Sequence, residues 1–198
     1  MTTQPATFHA ADFHARELQQ GEVLQLQALF DACPEYSLLV NGRPPLPDEA
    51  QAEFDAVPPP SLPYTRRWFL GVFDRAGELA GLVDVVSDFC APQVWHIGLF
   101  FIATPLRGTG AAQRIYDALE DWMRRSGAEW LRLGVVAGNP AGERFWQKQG
   151  YEQARLREGV DTGGRINAVR VLVKSFAGAP LDAYLALVPR DRPDSRAP

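Results

Sequence analysis

A mixed α/β (α+β) fold is what this sequence predicts: a single, mostly antiparallel central sheet with flanking helices. Three observations carry that expectation. Two pairs of apolar runs each surround a glycine-containing turn, Arg67–Phe73 with Leu79–Val86 and Tyr151–Val160 with Ile166–Phe176. Two further runs, Val94–Ile102 and Trp130–Val136, read as buried strands, the first nearly continuous in aromatic and branched residues. Between them lies the clearest amphipathic helix, Gly110–Ser126. The 198 residues suffice for one sizeable core and are marginal for two, so strands and helices in this order indicate one mixed sheet.

Taken from the N-terminus, Phe13–Leu18 can open the sheet. Glu22–Cys33 spaces Val23, Leu26 and Phe30 as an amphipathic helix does, and Pro34 either ends that helix or starts another. Leu46–Ala56 reads as a second short helix, with proline and acidic charge in its first turn at Pro47-Asp48-Glu49. The run Pro58–Pro63 fits neither helix nor central strand and forms a stiff connector. The first hairpin turns at Asp74-Arg75-Ala76-Gly77. In Gly110–Ser126, Ala111, Ile115, Ala118, Leu119 and Trp122 form the apolar stripe, and Gly127 ends the helix. Ala141–Gln149 is a short helix begun by Asn139-Pro140 and stopped by Gly150. The second hairpin turns at Asp161-Thr162-Gly163-Gly164. The expected organisation is one domain over residues 1–176 and an irregular, proline-punctuated tail over 177–198, in which Leu181–Val188 can form a short helix.

A net charge of −4 lacks the basic footprint of a nucleic-acid binder or a membrane-surface helix. Cys33 and Cys90 lie far apart, in neither a disulfide framework nor a metal-ligand spacing, so no metal is expected. The N-terminal stretch MTTQPATFHAADFHARELQQ shows no signal-peptide pattern, and no apolar run is long enough to span a bilayer. The expectation is a cytoplasmic protein without nucleic-acid or membrane partners, with a homodimer left open.

After the buried strand, Ala103-Thr104-Pro105-Leu106 leads into Arg107-Gly108-Thr109-Gly110-Ala111-Ala112 and the long helix. Two glycines ahead of a helix let several backbone N–H groups converge on one point. The helix start adds partial positive charge, and the missing Cβ atoms let a phosphate approach. Arg107 adds a guanidinium fork. A nucleotide-triphosphate loop needs Lys-Ser or Lys-Thr after its last glycine, and neither follows Gly110. A dinucleotide loop needs a small sixth residue, where Gln113 stands. A tight strand-to-helix turn without a ligand would carry the same string.

Here the sequence resembles the GNAT N-acetyltransferase family. Its coenzyme A loop, Arg or Gln followed by two residues, Gly, any residue, and Gly or Ala, is met by Arg107, Gly110 and Ala112. Its second element, N-x-x-A-x-x-x-Y-x-K-x-G-F, resembles Asn139–Tyr151: Asn139, Lys148 and Gly150 match. Gly142, Trp146 and Tyr151 occupy its alanine, tyrosine and phenylalanine positions. Both motifs fall within residues 94–151, in the family's order. The resemblance implies a GNAT-type acyl-CoA N-acyltransferase fold that uses acetyl-CoA and acetylates a primary amine of a small molecule or peptide by direct attack. The alternative is a catalytically weak coenzyme A-binding or regulatory protein.

By the same resemblance, the strands ending near Ile102 and Val136 splay apart, and the pantetheine arm pairs with backbone at Phe100, Phe101 and Ile102. The free N–H near Phe101 or Ile102 would polarise the thioester carbonyl. The pyrophosphate rests on Gly108, Thr109, Gly110, Ala111 and Ala112 beside Arg107, with Asn139, Phe145 and Trp146 bordering the cofactor. His96 stands where the family often places a glutamate base, and an imidazole suits proton acceptance, although a packed histidine would look the same. Asp84 and Asp88 are rival bases or amine anchors. Trp146 replaces the tyrosine that protonates the leaving thiolate; an indole is no proton source near neutral pH, so water, the substrate ammonium, Tyr151 or another tyrosine serves, and Trp146 packs on the pantetheine. For the acceptor pocket the candidates are Tyr36 and Asp84, with Cys33, Tyr64 and Trp68, walled by the proline-rich Asn41–Pro63.

Overall fold

A computed structural model describes residues 7–195; residues 1–6 and 196–198, the outer ends of the expected domain and tail, lie outside the described residues. The strands are β1 Phe8–Ala10, β2 Phe13–Glu17, β3 Arg66–Phe73, β4 Leu79–Ser87, β5 Val94–Ile102, β6 Trp130–Val136, β7 Glu152–Asp161 and β8 Ile166–Ser175. The helices are α1 Val23–Ala32, α2 Glu35–Val40, α3 Glu49–Asp55, α4 Ala111–Arg125, α5 Pro140–Lys148 and α6 Leu181–Leu187. The strands form one sheet in the order β1-β2-β3-β4-β5-β6-β8-β7. Its pairs are antiparallel except β5 with β6.

Local chemistry sets the turns. Asp74 Oδ1 accepts from the amides of Ala76 (2.8 Å) and Glu78 (3.0 Å), closing the β3–β4 hairpin. Asp161 Oδ1 does the same for Gly163 (2.9 Å) and Gly164 (3.3 Å) between β7 and β8. The β1–β2 hairpin was not expected, and its turn explains why: Ala11 takes a positive φ of 51° with no glycine or asparagine to announce it. Pro34 begins a helix, α2, rather than merely ending α1.

Strand alternation sends side chains to two faces. One face, carrying Val83, Val85, Ile97, Leu131 and Leu133, packs against Ile115, Leu119 and Met123 of α4 and Trp146 of α5. On the opposite face, Phe69, Leu82 and Phe101 pack against Leu26 and Phe30 of α1. Farther along that second face, Trp130, Val171 and Val173 receive Tyr184 and Val188.

The C-terminal stretch packs on the sheet, and α6 falls where a short helix was expected over Leu181–Val188. Tyr184 and Asp191 are fully buried, and Val188 nearly so. Asp191 takes a two-pronged ion pair from Arg132 of β6: Nε donates to Oδ2 at 2.7 Å and Nη2 to Oδ1 at 3.0 Å. Tyr184 donates to Oδ2 at 2.6 Å. Burial opposes ionisation of Asp191, but the bonds and charge of Arg132 outweigh it and hold the carboxyl below its usual range. A chain ended after Phe176 would bare Trp130 and Val173 and take from Arg132 its carboxylate partner. We expect it to lose at least ~3 kcal/mol in urea unfolding; a midpoint equal to that of the full chain would show the segment to be dispensable.

Candidate active site

The parallel pair β5–β6 runs only from Val94↔Trp130 to Ile97↔Leu133, although both strands continue, to Ile102 and Val136. The break coincides with a bulge: Val85 pairs with Ile97 and Asp84 with Leu99, so Gly98 is an extra residue in β5. Ladder phase then decides which peptide groups face the gap. Ala103 N donates to Ala80 O (2.9 Å), which puts Leu82↔Phe101 and Asp84↔Leu99 in the hydrogen-bonded phase. The peptide groups of Phe100 and Ile102 therefore turn toward the slot. Those of Phe101 turn toward β4, as its carbonyl oxygen, 2.6 Å from where a Cβ on Gly81 would sit, also shows. Of the three residues expected to pair with an extended ligand, Phe101 is thus corrected: its backbone is engaged with β4 and its side chain is buried. Across the slot, Ala137 N donates to Ala168 O (2.8 Å), and the same phase argument leaves Gly134 and Val136 facing the gap.

One end of the slot meets the α4 N-terminus. Gly108 (φ +76°) and Gly110 (φ +81°) occupy left-handed positions that favour glycine, and Gly110 is the residue before the helix. Thr109 Oγ1 donates to Leu106 O (2.7 Å) and receives Ala111 N (3.3 Å), fixing the turn. Among the described residues, no partner takes the amides of Gly108, Gly110, Ala112 or Gln113. Open amides converging at a helix start, with an exposed Arg107 alongside, fit a pyrophosphate. Arg107 lies 3.7 Å from Glu35 of α2. Gln113 exchanges two 2.8 Å amide bonds with Gln149, tying the start of α4 to the end of α5.

Asn139 caps α5, its Oδ1 accepting from Gly142 N at 3.0 Å. A Cβ on Gly142 would come within 2.7 Å of Asn139 Nδ2. Phe145 is half-buried and stacks on Phe100 with ring centroids 5.7 Å apart. Trp146 is buried, edge-on to Phe100, Tyr116 and Tyr151, and so packs in the core behind the slot residue Phe100. Tyr151 does not replace the missing phenol: it is buried, it accepts from Tyr116 OH at 3.2 Å, and burial pushes its pKa well above the usual value.

Past the Gly98 bulge, on the face that carries α1, lies a cavity of about 210 Å³ lined by Arg67, Asp84, Phe89, His96, Gly98 and the segment Ala56–Pro59. Of the proline-rich Asn41–Pro63, the cavity lining takes in residues 56–59. Arg67 donates to the carbonyls of Glu53 (2.7 Å), Phe54 (2.9 Å) and Ala56 at the end of α3, and through Nε to Asp84 Oδ1 (2.9 Å). Asp84 Oδ2 lies against Gly98, 3.1 Å from where a Cβ would sit. Burial raises the Asp84 pKa, with Arg67 opposing. Burial likewise raises that of Glu53, helped by the charge of Asp84.

His96 stacks on Phe89 (4.6 Å) with Nδ1 3.2 Å from Arg132 Nη1. Burial and the Arg132 charge push its pKa down to about 3. An imidazole so weakened is a poor proton acceptor at neutral pH, which corrects the expected base. Asp88 accepts from Gln93 N at 2.7 Å in the β4–β5 turn. Tyr36 packs on Phe101 (6.0 Å) outside the cavity lining, Cys33 is buried, and Trp68 stacks on Trp95 (5.0 Å) on the opposite face. Sequence reasoning missed Arg67, Phe89, Arg132 and Asp191; the visible signal was Gly98, a lone glycine within an apolar strand. Among the described residues there is no group of three or more His, Cys, Asp or Glu placed to hold a metal, and no helix long and apolar enough to cross a membrane.

The family model described as Acetyltransferase (GNAT) family matches residues 26–151. An uncharacterised N-acetyltransferase of Bacillus subtilis, YdgE, is 26% identical over 114 residues, covering 56% of this chain and 71% of that protein. An acetyltransferase from Thermus thermophilus superposes with a TM-score of 0.63 at 19% identity, over 85% of this chain and 99% of that one. A spermidine N-acetyltransferase from Vibrio cholerae, solved with CoA and spermine, gives 0.64 at 16% identity, over 84% and 97%. At these identities the structural likeness is one of fold. For the loop, Gly110→Glu should weaken coenzyme A binding at least tenfold by calorimetry, because it strains a left-handed position and sets a carboxylate among the open amides. Undiminished affinity would place the pyrophosphate elsewhere.

Proposed function

The chain belongs to the GNAT acetyltransferase family, and on that premise we propose that it acetylates a primary amine of a small molecule or peptide by direct attack, with Asp84 receiving the amine. As a member of that family it is an N-acetyltransferase that uses acetyl-CoA. When bound, acetyl-CoA supplies a thioester carbonyl open to an amine nucleophile. Gly108, Gly110, Ala112 and Arg107 would hold its pyrophosphate, and the peptide groups of Phe100 and Ile102 its extended arm.

The observation that carries the role of Asp84 is its placement at the Gly98 bulge, where the donor slot and the acceptor cavity meet on either side of β5. Arg67 fixes Oδ1, while Oδ2 faces the bulge. A partly desolvated carboxylate so held attracts an ammonium and, with its pKa raised, takes a proton more readily than a solvated aspartate does. Neighbouring Glu53 adds negative charge and favours a cationic acceptor. With Trp146 and Tyr151 both buried, the proton for the departing thiol comes from water or from the amine itself.

Because the carboxylate form does this work, kcat/KM falls as pH drops through the raised Asp84 pKa. Asp84→Asn should lower kcat/KM about 100-fold and abolish that acid limb, read as thiol release over a panel of amines. An unchanged pH profile would remove Asp84 from the mechanism. Thermal stabilisation by coenzyme A without thiol release from any amine would favour the reading as a coenzyme A-binding protein.

A further inference from the structure

The C-terminal segment reaches the cavity through one chain of contacts. Asp191 occupies Nε and Nη2 of Arg132, leaving Nη1, which lies 3.2 Å from His96 Nδ1. A guanidinium only donates, so a bond from Nη1 needs Nδ1 to accept and puts the single ring proton on Nε2. The backbone oxygen of Arg132 is also 3.2 Å from Nδ1. A proton on Nδ1 would serve that oxygen but set two donors face to face; a lone pair there gives up the oxygen and accepts from the cationic guanidinium, the stronger of the two bonds. Phe89 covers one face of the ring and lies under the Arg132 guanidinium, at 5.3 Å, so the imidazole cannot turn without disturbing both. His96 Nε2 bonds to none of the described residues and is not among the buried polar atoms left unsatisfied. It belongs to a ring that lines the cavity with Asp84.

We propose that Asp191 and Arg132 act as positioning residues that lock His96 as an Nε2–H donor, and that this donor binds an oxygen acceptor carried by the amine substrate. The cavity then presents unlike groups: an acceptor at Asp84 for the amine and a donor at His96 for a nearby carbonyl, carboxylate or hydroxyl. That pairing fits an amine bearing such an oxygen, as an amino-acid derivative or a peptide N-terminus does, better than a plain alkyl amine. The substrate class rests on the acetyltransfer reading above; the ring's protonation does not.

Two measurements on the full-length protein separate these levels. Long-range nitrogen–proton NMR distinguishes ring tautomers, and the sequence has three histidines, so His96→Gln identifies the His96 signals. The expected result is a proton on Nε2 with no titration from pH 9 down to pH 5, where Arg132, Arg190 and Asp191 are the charged groups bearing on the ring. A proton on Nδ1, or ordinary titration, overturns the lock whether or not any amine is acetylated. In kinetics, His96→Ala should raise KM for an amino amide roughly tenfold more than KM for an alkyl amine of similar length. His96→Gln, whose amide N–H reaches the same place, should recover most of that discrimination. Equal effects on both amines, or none on either, overturn the substrate assignment.

Discussion

Everything at this site follows from β5 leaving β6 after Ile97. A parallel pair carried to its ends would use its peptide groups internally and leave nothing for a ligand. Here Gly98 adds a residue to β5 opposite Asp84, and β6 continues along β8 instead. The result is an edge inside a sheet, with the peptide groups of Phe100 and Ile102 facing those of Gly134 and Val136 across a gap. Such an edge suits an extended ligand that pairs with backbone. The same bulge brings Asp84 against β5 on the opposite side, so one inserted residue couples a slot to a cavity.

The two guanidinium–carboxylate pairs behind the cavity serve different ends. Arg67 divides its donors between three carbonyls at the end of α3 and one oxygen of Asp84. Asp84 therefore keeps an oxygen uncommitted, and burial leaves it readier to take a proton. Arg132 gives Asp191 two donors in a site closed to water, and the product is a strongly ionised carboxylate beside a neutral ring. One pair leaves a group able to move a proton, and the other removes proton exchange from its neighbour.

Glycine punctuation and hydrophobic period made most of the sheet legible in the sequence, because Gly77, Gly127, Gly150 and Gly163 stand where the backbone needs a positive φ. The two-glycine turn ahead of α4, with Gly108 and Gly110 at positive φ, was legible for the same reason. What stayed hidden depended on pairing phase or on distant partners. That Phe101 faces β4 while Phe100 faces the slot is a matter of ladder register, which the residue types do not encode. Trp146 stands at a motif position associated with a phenol, yet its neighbours Tyr116 and Tyr151 enclose it. His96 looked like a base because its environment is set by Asp191, in a proline-rich stretch whose short helix gives little periodic signal.

The Arg132–Asp191 pair is costly to bury, and two apolar side chains of similar volume could fill that space without loss of stability. Packing alone therefore does not account for it. An apolar pair would leave Nδ1 of His96 with only the Arg132 carbonyl, which draws the ring proton inward and turns a bare lone pair toward the cavity. A guanidinium held by Asp191 reverses that choice and gives the cavity an N–H beside the Asp84 carboxylate. Asp191 also receives the Tyr184 hydroxyl, so the helix that closes the core beneath Trp130 also sets the hydrogen-bonding character of the acceptor site.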